Sequence, residues 1–181
     1  AVYAAVAATP SPTLDRLMRR LSHAADYSRL SISAAAVLAV AGGPRGRRAA
    51  VYGLASVGVT SAVVNLLVKP LSRRRRPDRA AQSVPFARHV PMPTSSSFPS
   101  GHSAAAFAFA TGVGQVAPTA AVPLRALAAL VAYSRVHTGV HYPGDVIVGS
   151  LIGGALAQVT VHALDSHRFL GFGSAIEVLI R

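Results

Sequence analysis

Three short segments of this chain hold residue types that suit chemistry on a phosphate. One reads Phe98-Pro99-Ser100-Gly101-His102-Ser103 and runs straight into an apolar stretch at 104–110. Proline and serine open a helix there, and glycine lets a bound group approach the backbone. The first N–H groups of a helix lack intrahelical partners, and the helix dipole adds partial positive charge. Such an end suits a phosphate, although serine, glycine and proline also open many ordinary helices. A later segment, 134–145, contains Ser134-Arg135, then His141, Pro143 and Asp145. Pro143 fits the first turn of a helix, which places Asp145 in that turn and His141 just before it. A carboxylate so placed can accept from one ring nitrogen of His141 and fix its tautomer. The other nitrogen is then left to act as nucleophile or base. His102 would face it across the phosphate as an acid. The earliest segment carries Lys69, the single lysine among 18 Lys+Arg, followed by Arg73, Arg74, Arg75 and Arg76. Arginine gives bidentate geometry to phosphate oxygens, and lysine a point charge.

These segments must be positioned by something, and composition indicates what. The 181 residues are 51% hydrophobic but only 13% charged, against about 25% charged in an average soluble domain. There is no cysteine, hence no disulfide and no thiolate metal site. The formal net charge of +12 collects between apolar runs. That suits anionic headgroups or phosphate substrates, not nucleic acid, which calls for a basic face with groove-reading or stacking elements.

A bilayer crossing needs about 20 apolar residues in a helix. Candidate runs are 30–44 (extending back to 24), 49–68, 103–117, 124–133 and 146–164, with 118–123 read as a turn. Gly149, Gly153 and Gly154 in the last run allow close helix packing. Before them, Leu14, Leu17, Met18 and Leu21 recur at helical spacing while Asp15, Arg16, Arg19 and Arg20 face away. That pattern is an interfacial helix or a packed connector. The expectation is all-α: a polytopic transmembrane helix bundle of about five spans plus an N-terminal amphipathic interfacial helix. It forms one domain over 1–181, with an N-terminal segment 1–23, a membrane core 24–164 and a tail or linker 165–181. A soluble alanine-rich bundle is the alternative. Uncharged runs bounded by arginines favour the membrane. Alternating crossings bring the three phosphate-suited segments to one face. The 70–98 loop between two of them is long enough to expect a function. His89 and His137 are expected to have no chemical role.

At this point the residues resemble a known family. Lys69, six residues, then Arg76-Pro77 is similar to the first motif of the type 2 phosphatidic acid phosphatase superfamily. Pro99-Ser100-Gly101-His102 is similar to its second. Ser134-Arg135, five residues, His141, three residues, Asp145 is similar to its third. The long apolar runs agree with the membrane branch, which includes bacterial lipid phosphate and polyprenyl diphosphate phosphatases.

The resemblance implies that Lys69, Arg76 and Arg135 hold the phosphate oxygens, with Ser100 and the Gly101 N–H assisting. His141 would form a phosphohistidine, Asp145 would orient it, and His102 would protonate the leaving oxygen and then activate water. It implies no metal and no cofactor, and no metal-ligand spacing is visible. The implied partners are a membrane lipid phosphate (phosphatidic acid, phosphatidylglycerol phosphate or polyprenyl phosphate in type) and the bilayer of a bacterial cell membrane. The substrate tail would stay among the helices.

The membrane branch commonly has six spans. The missing one is expected to precede residue 1 or to be replaced by the helix from Thr13. Basic residues crowd the proposed catalytic side. The positive-inside rule would therefore place it in the cytoplasm, whereas the family more often works on the outer face. Two other readings stay open: a vanadate-dependent haloperoxidase-like enzyme, and a non-catalytic membrane protein binding anionic lipids through Arg73 to Arg76.

Overall fold

The computed structural model describes residues 5, 6, 8 and 11–169, which form helices and loops without a strand. The tail beyond 169 lies outside the described residues. From residue 11 onward the chain forms six helices: α1 Pro12–Ala24, α2 Arg29–Ala41, α3 Gly43–Leu71, α4 Gly101–Val116, α5 Pro118–His137 and α6 Pro143–Phe169. Single turns of 3-10 helix at Asp26–Ser28 and Phe86–Arg88 interrupt the connections.

α4 is the central helix and lies against α3, α5 and α6. Ala104, Ala108 and Val113 are fully buried along it. Small residues set how closely its neighbours approach. A side-chain carbon on Gly149 would sit 2.5 Å from the carbonyl oxygen of Ser100, and one on Gly153 would collide with the backbone of Ala104. Those two glycines press α6 onto the first turns of α4. Gly154, expected to share that task, meets only the Thr111 hydroxyl at an ordinary 3.9 Å.

The five apolar runs are five helices, yet only α3 (Gly43–Leu71) and α6 (over Pro143–Ser166) are long and apolar enough to cross a bilayer by themselves. α2 has 13 residues and α4 has 16, short of the length a straight crossing needs at 1.5 Å per residue. Two expectations need correction. The segment 118–123 is not a turn: α5 begins at Pro118, which suits a first helical position. Pro123 sits inside the same helix, where it forfeits one backbone bond without ending it. Asp15 does not face away on α1. It is 4% exposed and accepts from Arg88 Nε at 2.7 Å and His137 Nε2 at 2.8 Å. α1 is thereby docked on the end of α5 by a buried charge cluster.

The last turns of α3 depart from α-helical winding. Val63–Val68 is π-helical, and Lys69-Pro70-Leu71 follows. Pro70 has no N–H to give to the carbonyl four residues back and its ring crowds that carbonyl. The wider winding relieves both, and such segments cluster at functional sites.

One end of the bundle is tied by Arg45, whose Nε donates to the Val116 carbonyl at 2.9 Å, and by Arg48 paired with Asp165 at 3.0 Å. The other end collects the close of α3, the start of α4 and the 138–145 connection.

Substituting alanine at Gly149 or Gly153 should cost about 1–3 kcal/mol, the usual range for overpacking. Thermal melting in detergent is expected to show both variants less stable than Gly154→Ala.

Candidate active site

Each helix end that reaches this region is shaped by its own sequence. α5 closes with Gly139 at φ 69°, a left-handed position that favours glycine. The Arg135 carbonyl accepts from the N–H groups of Val140 and His141 at 3.1 and 3.2 Å, which folds His141 back beneath α5. α6 then starts at Pro143, and the Asp145 carboxylate reaches back to accept the Tyr142 N–H at 2.9 Å, one half of a capping box. α4 starts under the hydroxyl of Ser100, which accepts from the Ser103 N–H at 3.4 Å. The Ser100 N–H itself donates to the Asp145 carbonyl at 3.0 Å, tying the starts of α4 and α6 together.

The structure brings the expected residues together. His141 is buried, with its Nδ1 3.6 Å from Asp145 Oδ2. That is an ion-pair distance, longer than a hydrogen bond. Its Nε2 is 3.3 Å from Arg76 Nη1. A guanidinium only donates, so this contact requires a bare lone pair on Nε2 and puts the ring proton on Nδ1, facing Asp145. Burial, and then the charges of Arg76 and Arg135, push His141 from its usual 6.5 down to about 4, against the pull of Asp145.

Arg76 also donates to the carbonyls of Val140, Ser95 and Ser96. Arg135 is 2% exposed; its Nη1 donates to Ser22 Oγ at 2.5 Å, while its Nε is buried with no partner. Lys69 Nζ lies 3.5 Å from Ser95 Oγ and would be 3.4 Å from a side-chain carbon on Gly101. Of the expected phosphate ligands, Ser100 is the one whose hydroxyl already accepts within the protein, from Ser103.

Several residues at the site carried no signal in the motifs. Asp26 Oδ1 is 2.9 Å from His102 Nε2 and 3.9 Å from Arg135 Nη1. It is held there by Tyr27 and Ser28, two consecutive left-handed residues at φ 55° and 56°. Such conformations cost energy in L-residues and cluster at functional sites. Ser97 Oγ donates to Asp145 Oδ2 at 2.5 Å, and Arg74 Nη1 pairs with Oδ1 at 3.0 Å. Arg74 also stacks 4.6 Å over the Tyr142 ring. A scan of acids alone would have raised Asp26, because the chain has only six Asp+Glu.

Two cavities flank His102. One of about 260 Å³ lies between α2, α3 and α4 and reaches Lys69 and Gly101. The other, about 330 Å³, lies toward Asp26, Arg135 and Met92. A basic groove of about 560 Å³ along Arg73, Arg74, Arg75 and Arg76 also ends at Lys69. The arrangement sets one histidine lone pair among the cationic side chains of Lys69, Arg76 and Arg135, with a second histidine, backed by a carboxylate, at the edge.

The sequence model of the PAP2 superfamily matches residues 49–168. Over 120 residues the chain is 38% identical to a decaprenylphosphoryl-5-phosphoribose phosphatase of Mycobacterium tuberculosis (strain CDC 1551 / Oshkosh). That match covers 64% of this chain and 62% of the length of that protein. The crystal structure of Aquifex aeolicus LpxE has a similar fold, with a TM-score of 0.74 at 23% identity over 89% of this chain and 93% of that one. The first transmembrane PAP2 type phosphatidylglycerolphosphate phosphatase from Bacillus subtilis gives a TM-score of 0.67 at 26% identity over 91% and 83%.

Two pH effects follow. With His141 neutral down to about pH 4, the acid limb of kcat/KM should lie near there and not near 6.5. The unfolded chain takes up this proton first, so the same site should erode stability as pH falls from 6.5 toward 4. Asp26→Asn removes the negative charge facing His102. Burial and then the Arg135 charge hold His102 down at about 4 against the pull of Asp26. It could act as an acid only where a bound phosphate's negative charge raises it. With Asp26 gone the alkaline limb of kcat should move to lower pH, with kcat lowered on the order of tenfold, at the small end of general acid–base effects. A pH–rate profile of each protein checks the two limbs, and thermal melting of the wild type between pH 6.5 and pH 4 checks the stability.

Proposed function

The chain belongs to the PAP2 superfamily, and from that premise we propose that it is an integral membrane phosphatase. In this reading it hydrolyses the phosphomonoester or diphosphate of a lipid through a phosphohistidine on His141, without a metal ion. The observation that carries the reading is the contact between Arg76 Nη1 and His141 Nε2. It supports a nucleophile whose lone pair already points into the anion pocket.

Phosphoryl transfer asks a protein mainly for positioning and charge stabilisation. Lys69, Arg76 and Arg135 would neutralise the phosphate oxygens as a metal does elsewhere, with the buried Arg135 Nε supplying an unspent donor. The phosphate displaces Arg76 from His141. His141 Nε2 then attacks phosphorus, the bond from phosphorus to the leaving oxygen breaks, and His102 gives that oxygen its proton. In the second half, His102 takes a proton from water and the hydroxide attacks phosphorus. The P–N bond breaks with its electron pair returning to His141, and inorganic phosphate leaves. Asp145 stabilises the charge that appears on the imidazole, and Asp26 positions His102. Ser100 acts mostly through the backbone of α4, leaving the Gly101 N–H to face the anion.

The nature of the substrate is supported by the helices around the site. Beside Lys69 the 260 Å³ cavity is lined in part by Leu30, Ala105, Ala106 and Val131. The first carbons of a lipid chain would meet those side chains while its phosphate reached Lys69, and the rest of the tail would leave toward the bilayer. The similar proteins named for lipid phosphates agree with a lipid substrate, and α3 and α6 agree with a place in the membrane.

Phosphate release from a panel of lipid phosphates in detergent should persist in EDTA. It should fall at least about a thousandfold in His141→Ala, within the range seen when a residue of a catalytic unit is removed. Acid-labile phosphate should be trapped on the wild type and not on the variant. A substrate with the same phosphate on a short soluble tail should show a much lower kcat/KM; equal efficiency would sink the lateral arrangement of the tail.

A further inference from the structure

α1 and the 26–28 turn precede residues 49–168, the part matched by the sequence model of the family, yet both reach into the site. The inward stripe of α1 is Asp15, Met18 and Ser22, spaced three and four apart on one face. Asp15 fastens the start of that stripe to Arg88 and His137. Ser22, in the last turn, meets Arg135. Its hydroxyl accepts from Nη1 at 2.5 Å, and its carbonyl stands 3.5 Å from the same nitrogen. Both residues are buried. Carbonyls in the last turn of a helix lack intrahelical partners and carry partial negative charge, which suits a cation.

A buried helical serine can turn its hydroxyl back on a carbonyl of its own helix. Ser56 does so to Tyr52 and Ser134 to Val131, each at 2.7 Å. Ser22 instead gives its oxygen to a guanidinium 113 residues away. A rival acceptor lies close by. Asp26 Oδ1 stands 3.9 Å from the same Nη1, beyond hydrogen-bond reach, and is 2.9 Å from His102 Nε2. A carboxylate draws a guanidinium more strongly than a hydroxyl does, so the gap between Arg135 and Asp26 needs a cause. On the side of the guanidinium away from Nη1, Nε is buried with no partner among the described residues. Nε and Nη2 together form an edge that can take two oxygens of one anion.

We propose that Ser22 is a positioning residue for Arg135. It holds Nη1 and keeps the guanidinium from closing on Asp26, so that Arg135 keeps its charge for the phosphate and Asp26 keeps its place on His102. The inference rests on the phosphatase reading above and adds to it a part of the chain that none of the three motifs contains. Without the hydroxyl, Nη1 closes the remaining distance to Asp26 Oδ1. The carboxylate then cancels the charge of Arg135, and the Nε edge swings out of line. Phosphate binding weakens for both reasons. With Asp26 made neutral the competition is gone, and the loss of the hydroxyl matters much less.

The test is a double-mutant cycle on the full chain in detergent, read as the Kd for inorganic phosphate by calorimetric titration. Kd is a property of the folded fraction alone and needs no turnover. Ser22→Ala should raise it about tenfold, the low end for one hydrogen bond to a charged group. In the Asp26→Asn background the same change should raise it less than about threefold, because groups that share a partner are coupled. A loss of packing alone would raise Kd by the same factor in both backgrounds. A Kd unchanged in Ser22→Ala, or raised equally with and without Asp26, overturns the positioning role while the phosphatase reading stands. No phosphate binding by the wild type overturns the anion site of that reading and the role of Ser22 with it.

Discussion

Everything at the end of the bundle that holds His102 and His141 depends on an excess of fixed positive charge with too few acids to cancel it. The chain holds 18 Lys+Arg against 6 Asp+Glu, and Lys69, Arg74, Arg76 and Arg135 converge on a few cubic nanometres of partly buried space. Like charges so close repel, and each has lost part of its water. The protein holds them by spending backbone carbonyls. Arg76 is anchored by three of them, and Arg135 by the Ser22 hydroxyl with its carbonyl at the limit of reach. Neutral acceptors fix a guanidinium in place without cancelling its charge. A phosphate entering as proposed would meet Lys69 and Arg76 held by neutral acceptors, which is electrostatic preorganisation.

The same constraint explains where the acids stand. Asp15 is buried with Arg88 and His137 and serves only to fasten α1. Removing Asp15 would take the carboxylate away from both Arg88 and His137 in the interior, so this cluster is a fold element with little tolerance. Asp26 and Asp145 instead sit behind the two histidines. Each comes from a different element than the cations, so the pocket closes only when the 26–28 turn, the 95–97 loop and the start of α6 are all in place. α4 makes this feasible. As the central helix it delivers the Ser100–His102 turn to the middle of the bundle end, and the close approach of Gly149 fixes α6 against it.

What could be read from sequence follows from chain distance. His141 and Asp145 are four residues apart at a helix start, and Ser100 caps the helix that His102 begins; local geometry alone relates such residues. The five apolar helices were legible because a long run without charge is itself a local feature of the sequence. The partners that the fold supplies were not. Arg88 meets Asp15 across 73 residues, and His137 meets the same carboxylate across 122. Asp26 reaches His102 across 76. Nothing in the spacing of those residues encodes the encounter. Asp15 looked like a solvated charge on an amphipathic helix because the helical period cannot say that a basic loop will cover that face. Pro123 looked like a turn because proline is read as a breaker, although near a helix start it removes a single bond.

The position of Asp145 relative to His141 bears on how a transient charge would be handled. A carboxylate held only by the histidine it serves would have to reorient whenever that histidine changed charge. Asp145 is held by other groups: the Tyr142 N–H and the Ser97 hydroxyl on Oδ2, and Arg74 on Oδ1. His141 Nδ1 stands off at 3.6 Å and makes no bond that must break. The negative charge is therefore a fixed part of the frame. Were Nε2 to bond an electrophile as proposed, positive charge would spread onto the ring, and the Nδ1 proton would need to close only a fraction of an ångström to meet a partner already in place. Ser97 and Arg74, which touch no expected substrate atom, thus carry part of the electrostatic work. They do so by keeping the carboxylate still and ionised, and a change at either should be felt at His141 before it is felt in the fold.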